Sequence, residues 1–217
     1  MALSLVLIMI SLRTVAGLVP FRVPATPLWV HSPYINWLMP ADNATDDWVW
    51  HVRNDKVGSM TAAAVIDGHA WSLLGPMAHQ CPSGTPLAMP ALQQEGPPLI
   101  TPTQTRYSFA GSGVRINMTF ASPKFIEDLD SFLPVALLEL LVVPLDNRKH
   151  NVQFFFEMTG QIAVDNDANN VSWGRDTSHL PKDAVSMHIY NPDGNQGPDP
   201  DSASVHEILA WAMITQL

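Results

Sequence analysis

The sequence predicts an all-β protein, an antiparallel β-sandwich, and three observations carry that prediction. Val114, Ile116, Met118 and Phe120 alternate with Arg115, Asn117 and Thr119, which is the period of a half-buried strand. Asp67-Gly68 stands between two apolar runs, the signal of a tight hairpin, because glycine accepts positive φ without steric penalty. Nineteen prolines and twelve glycines punctuate 217 residues, so strands are expected to be short and helices few.

Met1 to Gly17 holds an apolar run from Ala2 to Leu12, too short to span a bilayer and right for the core of a signal peptide. Val15 and Gly17 supply small residues before a cut after Gly17. Residues 18–26 carry Pro20 and Pro24 and read as an extended leader, and residues 27–217 as one sandwich domain. Pro33 excludes a helix around Trp29 to Leu38. Asp42 to Asp47 reads as a loop, and Trp48 to His51 as a strand or a packed loop.

Thr61–Ile66 and His69–Leu74 flank Asp67-Gly68 as a hairpin. Gly75 to Gln104 carries seven prolines and no periodicity, a long loop. Arg106 to Phe120 forms a second hairpin turning at Ala110 to Gly113, with Tyr107 and Phe109 on one side. Its alternation puts Asn117 on the solvent face. Ser122-Pro123 ends the strand and Phe125 to Pro134 crosses over. Val135 to Val143 is almost continuously apolar between Pro134 and Pro144, which predicts a central strand covered on both faces. Val152, Phe154, Phe156 and Met158 mark another strand. Asp165 to Asp176 reads as an acidic loop and Asp183 to Tyr190 as a short strand. Val205 to Met213 has helical apolar spacing with Ser202 or Ser204 as cap. The chain stops at Leu217 inside an apolar run, the pattern expected of a truncation.

The formal net charge is −9, only 14% of residues are charged, and no Lys/Arg cluster exists, which argues against a nucleic-acid partner. A hydrophobic content of 47% argues for a packed core. Sequons at Asn43, Asn117 and Asn170 agree with a secreted, extracellular glycoprotein, free of the membrane once the signal is cut. Cys81, the sole cysteine, cannot form an internal disulfide.

Three separated patterns resemble the N-terminal region of the glutaminase A family, secreted amidohydrolases of fungi and bacteria. The first is Pro27-Leu28 with Ser32-Pro33-Tyr34-Ile35-Asn36-Trp37. The second is Val65-Ile66-Asp67-Gly68 with Trp71 and Leu74-Gly75. The third is Thr101 to Thr105, Val114 to Phe120, Ser122-Pro123, Leu133-Pro134 and His150-Asn151-Val152-Gln153 leading to Thr159-Gly160. The chain departs from the family in places. Asp146-Asn147 replaces the usual Asp-Gly, Ala62 to Ala64 replaces an aromatic and a glycine, Glu157 to Ile162 differs, and the segment near Trp37 is one residue short. The resemblance implies a β-sandwich followed by an (α/α) toroid that hydrolyses the side-chain amide of L-glutamine. It makes the toroid, absent from this chain, the expected partner. It also implies a strand, not a helix, for the last apolar run.

No catalytic residue and no cofactor is assigned from the sequence. Asp165, Asp167 and Asn169 have the alternating oxygens of a calcium loop, with Asp176 twelfth, but Asn170 replaces the central glycine and the flanks read as strands; a solvated loop is the competing reading. Glu127, Asp128 and Asp130 offer paired carboxylates as in glycoside hydrolysis, or a solvated loop. His79 and Cys81 share a loop without fixed geometry. Trp29, Trp37, Trp48, Trp50 and Trp71 form either core or a sugar-stacking platform. The platform would make the chain a carbohydrate-binding sandwich or an accessory domain of a glycoside hydrolase.

Overall fold

A computed structural model describes residues 23–32, 35–51, 60–76, 89–122, 136–159, 170–176, 184–190, 192 and 206–211. The expected signal peptide and most of the expected leader lie outside these residues. So do the stretch 125–134, expected to cross over, and the expected loop around Cys81. The described residues contain strands and turns and no helix.

In chain order the strands are β1 (Thr26–Ser32), β2 (Ile35–Met39), β3 (Trp50–His51), β4 (Met60–Ile66), β5 (His69–Leu74), β6 (Gln93–Gln94) and β7 (Leu99–Ile100). They continue as β8 (Gln104–Gly111), β9 (Val114–Ala121), β10 (Leu137–Pro144), β11 (Val152–Met158), β12 (Ser172–Asp176), β13 (Ala184–Tyr190) and β14 (His206–Trp211). Pairing is antiparallel throughout these strands. One sheet runs β10-β9-β8-β6, with β7 also on β8; a second runs β11-β4-β5; the others are β1-β2-β3 and β12-β13-β14. The result is the β-sandwich that alternation and turn chemistry predict.

The core fills the space between the first two sheets. Tyr107 and Phe109 on β8, and Val114, Ile116, Met118 and Phe120 on β9, are fully buried. Burial pushes the Tyr107 phenol well up, so it stays neutral. From the other sheet, β4 contributes Met60, Ala62, Ala64 and Ile66. Alanines here pair across the strands with large rings. Ala62 faces Phe156, which packs against the core, and Ala64 faces Phe154, which stays 37% exposed.

Trp29 closes one end of this core. Its ring meets Phe120 of one sheet edge-on at 5.3 Å and Phe156 of the other at 6.2 Å. Its indole N–H donates to the Leu137 carbonyl at 2.8 Å. Each such aromatic pair contributes about 0.5–1.5 kcal/mol beyond its buried area. Thr105 Oγ1 donates to the Pro27 carbonyl at 2.5 Å, and the Val30 N–H donates to Ser122 Oγ at 3.0 Å. These bonds tie β1 to the ends of β8 and β9.

Three expectations are corrected. Among the described residues β10 is not a central strand covered on both faces. Among the described residues it pairs only with β9, its inner residues Leu138, Leu140 and Val142 are half-buried, and Leu137 and Leu141 are each 51% exposed. An unbroken apolar run reports what can be covered, not which neighbours cover it. The stretch Asp165 to Asp176 is not loop throughout, since Ser172–Asp176 is β12. Gly174 sits opposite His188 in that pairing, and a Cβ there would collide with the imidazole. The last apolar run is the strand β14 and not a helix, as the family resemblance implies.

Candidate functional site

Two places gather polar groups on this frame. The first lies where three turns meet, at the end of the sandwich opposite Trp29. Asp67-Gly68 joins β4 to β5 with φ of +49° and +86°, and Ser112-Gly113 joins β8 to β9 with φ of +49° and +78°. Positive φ at both central residues is the type I′ geometry that matches strand twist. The third connection, residues 145–151, carries β10 into β11 and so passes from one sheet to the other.

His150 links all three. Its Nδ1 lies 2.6 Å from Asp67 Oδ2 and its Nε2 lies 2.9 Å from Asp146 Oδ1. The Asn151 N–H donates to Asp67 Oδ1 at 2.8 Å, while the Asp67 N–H donates to the Asn151 carbonyl at 2.9 Å. The Arg148 N–H donates to Asp146 Oδ1 at 3.0 Å, and the Leu145 N–H donates to the Gly113 carbonyl at 2.8 Å. A Cβ on Gly113 would stand 2.6 Å from His150 Cε1, so the imidazole occupies the space that only glycine leaves free.

The electrostatics agree from every side. Hydrogen bonds to Asp146 and then to Asp67 raise the His150 pKa. The Asn151 N–H, then His150, lowers that of Asp67. His150, then the Arg148 N–H, lowers that of Asp146. The hydrogen bonds favour an imidazolium between two carboxylates. In that form, with a carboxylate on each ring nitrogen, His150 has no lone pair for base catalysis. The two carboxylates lie at opposite edges of the ring, so they do not converge on a cation. No group of three or more His, Cys, Asp or Glu fit to hold a metal occurs among the described residues. The arrangement is a pin between hairpins. Sequence reasoning had Asp67-Gly68 and His150-Asn151 as parts of separate patterns and missed that they meet. The signal was their joint presence, with β4 and β11 in register as Ile66 opposite Val152.

The second place is the outer face of the β8–β9–β10 sheet. Register sets Ser108, Asn117 and Leu141 in one row across three strands, with Arg106, Thr119 and Glu139 in the next. Ser108 Oγ donates to Asn117 Oδ1 at 2.8 Å, and Arg106 Nε donates to Thr119 Oγ1 at 3.1 Å. Asn117 therefore points outward, as its alternation requires.

The other singled-out residues divide clearly. Asn43 is exposed, with Nδ2 donating to Asp46 Oδ2 at 2.7 Å, and Asn170 is exposed just before β12. Asp165, Asp167 and Asn169 lie outside the described residues, as do Glu127, Asp128, Asp130, His79 and Cys81. Trp29 and Trp37 are core, Trp48 and Trp71 half-buried, and Trp50 is exposed. The five tryptophans do not form a common platform. Trp173 on β12, not among them, is 70% exposed.

Residues 103–196 match a family model described as a domain of unknown function, DUF5127. The match runs from the approach to β8 through β13. No curated protein and no solved structure matches the chain.

Proposed function

We propose that residues 27–217 are the N-terminal β-sandwich domain of a secreted, glutaminase A-like amidohydrolase. The family reaction is L-glutamine plus water to L-glutamate plus ammonia. In this reading the sandwich supports the (α/α) toroid and forms part of the wall of its active site. One observation carries the proposal: residues that bear the resemblance, far apart in sequence, meet in space. Asp67 of the second pattern bonds to His150 and Asn151 of the third. Thr105 of the third bonds to Pro27 of the first. Even a departure keeps the geometry, since Asn147, standing where the family has glycine, takes φ of +59°. Asparagine is one of the few residues that tolerates this conformation. In this reading the sandwich supplies the frame, and the reaction centre belongs to the toroid.

The test is ammonia release from L-glutamine by the purified secreted chain, residues 18–217, in a coupled dehydrogenase assay. No release above the buffer blank is expected. Turnover by this chain alone would sink the supporting role.

A second reading is a carbohydrate-binding sandwich or a glycoside hydrolase accessory domain, favoured by the exposure of Trp173 and Trp50. Binding on a glycan array that disappears in Trp173→Ala or Trp50→Ala would favour it over the first. An array without signal would count against it.

A further inference from the structure

The outer face of β10 is apolar and uncovered by the described residues. Leu137, Leu141 and Val143 project from it in one file, interrupted only by Glu139. Leu141 sits directly opposite Asn117, and Val143 and Leu137 lie opposite Arg115 and Ala121 on either side. The centre of the face is therefore next to a sequon asparagine, Asn117-Met118-Thr119. Its carbonyl oxygen is held by Ser108, which turns Nδ2 away from that bond.

We propose that Asn117 carries an N-linked glycan whose first sugars pack on Leu141 and its neighbours. This covering rests on the secretory route in the function proposed above. The modification has a defined balance. Asn117 Nδ2 forms a bond to C1 of the reducing-end N-acetylglucosamine of a lipid-diphosphate oligosaccharide. The C1–O bond to the diphosphate breaks, and the lipid diphosphate leaves with the electron pair while Nδ2 gives up one proton. Transfer precedes folding, so burial of the Thr119 hydroxyl in the finished sheet does not impede it.

The fit follows from dimensions and chemistry. Neighbouring strands lie ~4.8 Å apart, about the width of one pyranose ring. A sugar linked to Asn117 reaches Leu141 without crossing another strand. A pyranose presents C–H groups on its faces and hydroxyls at its rim, so it covers apolar side chains and leaves a wet surface. Glu139, exposed in the same file, offers a carboxylate to the N-acetyl N–H or a hydroxyl. Of the other two sequons, Asn43 donates to Asp46 beside polar neighbours, and Asn170 precedes the short strand β12, next to the exposed Val171 and Trp173 but not on the β10 face.

The full chain is expressed in a eukaryotic secretory host in two forms, one with its own residues 1–17 and one with a proven leader in their place. Peptide N-glycosidase treatment in heavy-oxygen water marks each asparagine that carried a glycan. Asn117 is expected to be marked. Enzymatic removal of the glycan from the folded protein is expected to raise the fluorescence of a bound hydrophobic dye, and Leu141→Ser to abolish that rise. An unmarked Asn117 behind the proven leader overturns the proposal, whatever the state of Asn43 and Asn170. So does a marked Asn117 whose deglycosylation leaves dye binding unchanged, since another occupant then covers β10 or none is needed. Failure of only the native leader counts against the secretory reading and leaves the second form to decide this one.

Discussion

Gly68 and Gly113 allow the His150 pin to be tested by a matched pair of substitutions. Both occupy the second position of a type I′ turn, with φ of +86° and +78°. An alanine at either position meets the left-handed region, which costs about 1–2 kcal/mol for a residue with a Cβ. They differ in what the new methyl would touch. At Gly68 nothing lies within 4 Å. At Gly113 the methyl would lie 2.6 Å from His150 Cε1 and 2.8 Å from Asp146 Oδ2. The imidazole must move, and forced displacement in a packed site typically costs a further ~1–3 kcal/mol. Gly68→Ala is thus expected to destabilise by about 1–2 kcal/mol. Gly113→Ala should reach about 2–5 kcal/mol, the sum of the two terms.

The pH dependence separates loss of the pin from simple overcrowding. His150 is raised above its ordinary value of 6.5, so its contribution is fully present below that pH and is lost as pH rises through the higher folded value. Asp67 and Asp146 are lowered below 3.8, so their contribution is present above that pH and is lost as pH falls through the lower folded values. The pin is therefore strongest between about pH 4 and 6.5. Urea unfolding at pH 5.5 and pH 9 measures the effect. The gap between the two variants should be wider at pH 5.5 and should shrink at pH 9. Equal destabilisation at both sites, or a gap independent of pH, would refute the role given to His150.

Two further outcomes follow from the packing and the turns. Trp29→Ala removes the ring between Phe120 and Phe156 and should cost about 3–5 kcal/mol in urea unfolding. Trp29→Phe keeps an aromatic but orphans the Leu137 carbonyl, and should lose less than the alanine variant, about 1–3 kcal/mol for the unmade bond. Asn147→Gly, which puts glycine at φ of +59°, should leave thermal stability unchanged or raise it slightly, whereas Asn147→Val should lower it by at least ~1 kcal/mol.

Local patterns predicted what local physics decides. Alternation in β9 placed Val114, Ile116, Met118 and Phe120 inside and Asn117 outside, because the side-chain period of a strand is fixed at two. Asp67-Gly68 predicted its hairpin because few other residue pairs accept that backbone. Residues 135–143 predicted a strand but not its place in the sheet. Apolar residues on both faces read alike whether a strand is flanked on each side or sits at an edge. Ser172–Asp176 went unread as a strand because its short polar sequence continues an acidic stretch, and its pairing with β13 is set elsewhere in the chain. The pin escaped because His150 lies 83 residues from Asp67, and no periodicity reports a contact of that range.

The position of β10 gives the Asn117 proposal a physical consequence beyond solubility. Edge strands offer unpaired backbone groups to other chains, and flat apolar ones are prone to association. β10 carries a single charge, Glu139, and ends at Pro144, which cannot donate to a ladder. Those features limit edge-to-edge addition at two points but leave the outer face open to stacking by a second sheet. A sugar on β9, one strand in from the edge, acts on the complementary problem. It blocks approach to the face while leaving the edge hydrogen-bonding groups as they are. It also excludes this face as the seat of a toroid domain. The supporting role and the glycan are therefore compatible only if the toroid docks elsewhere on the sandwich.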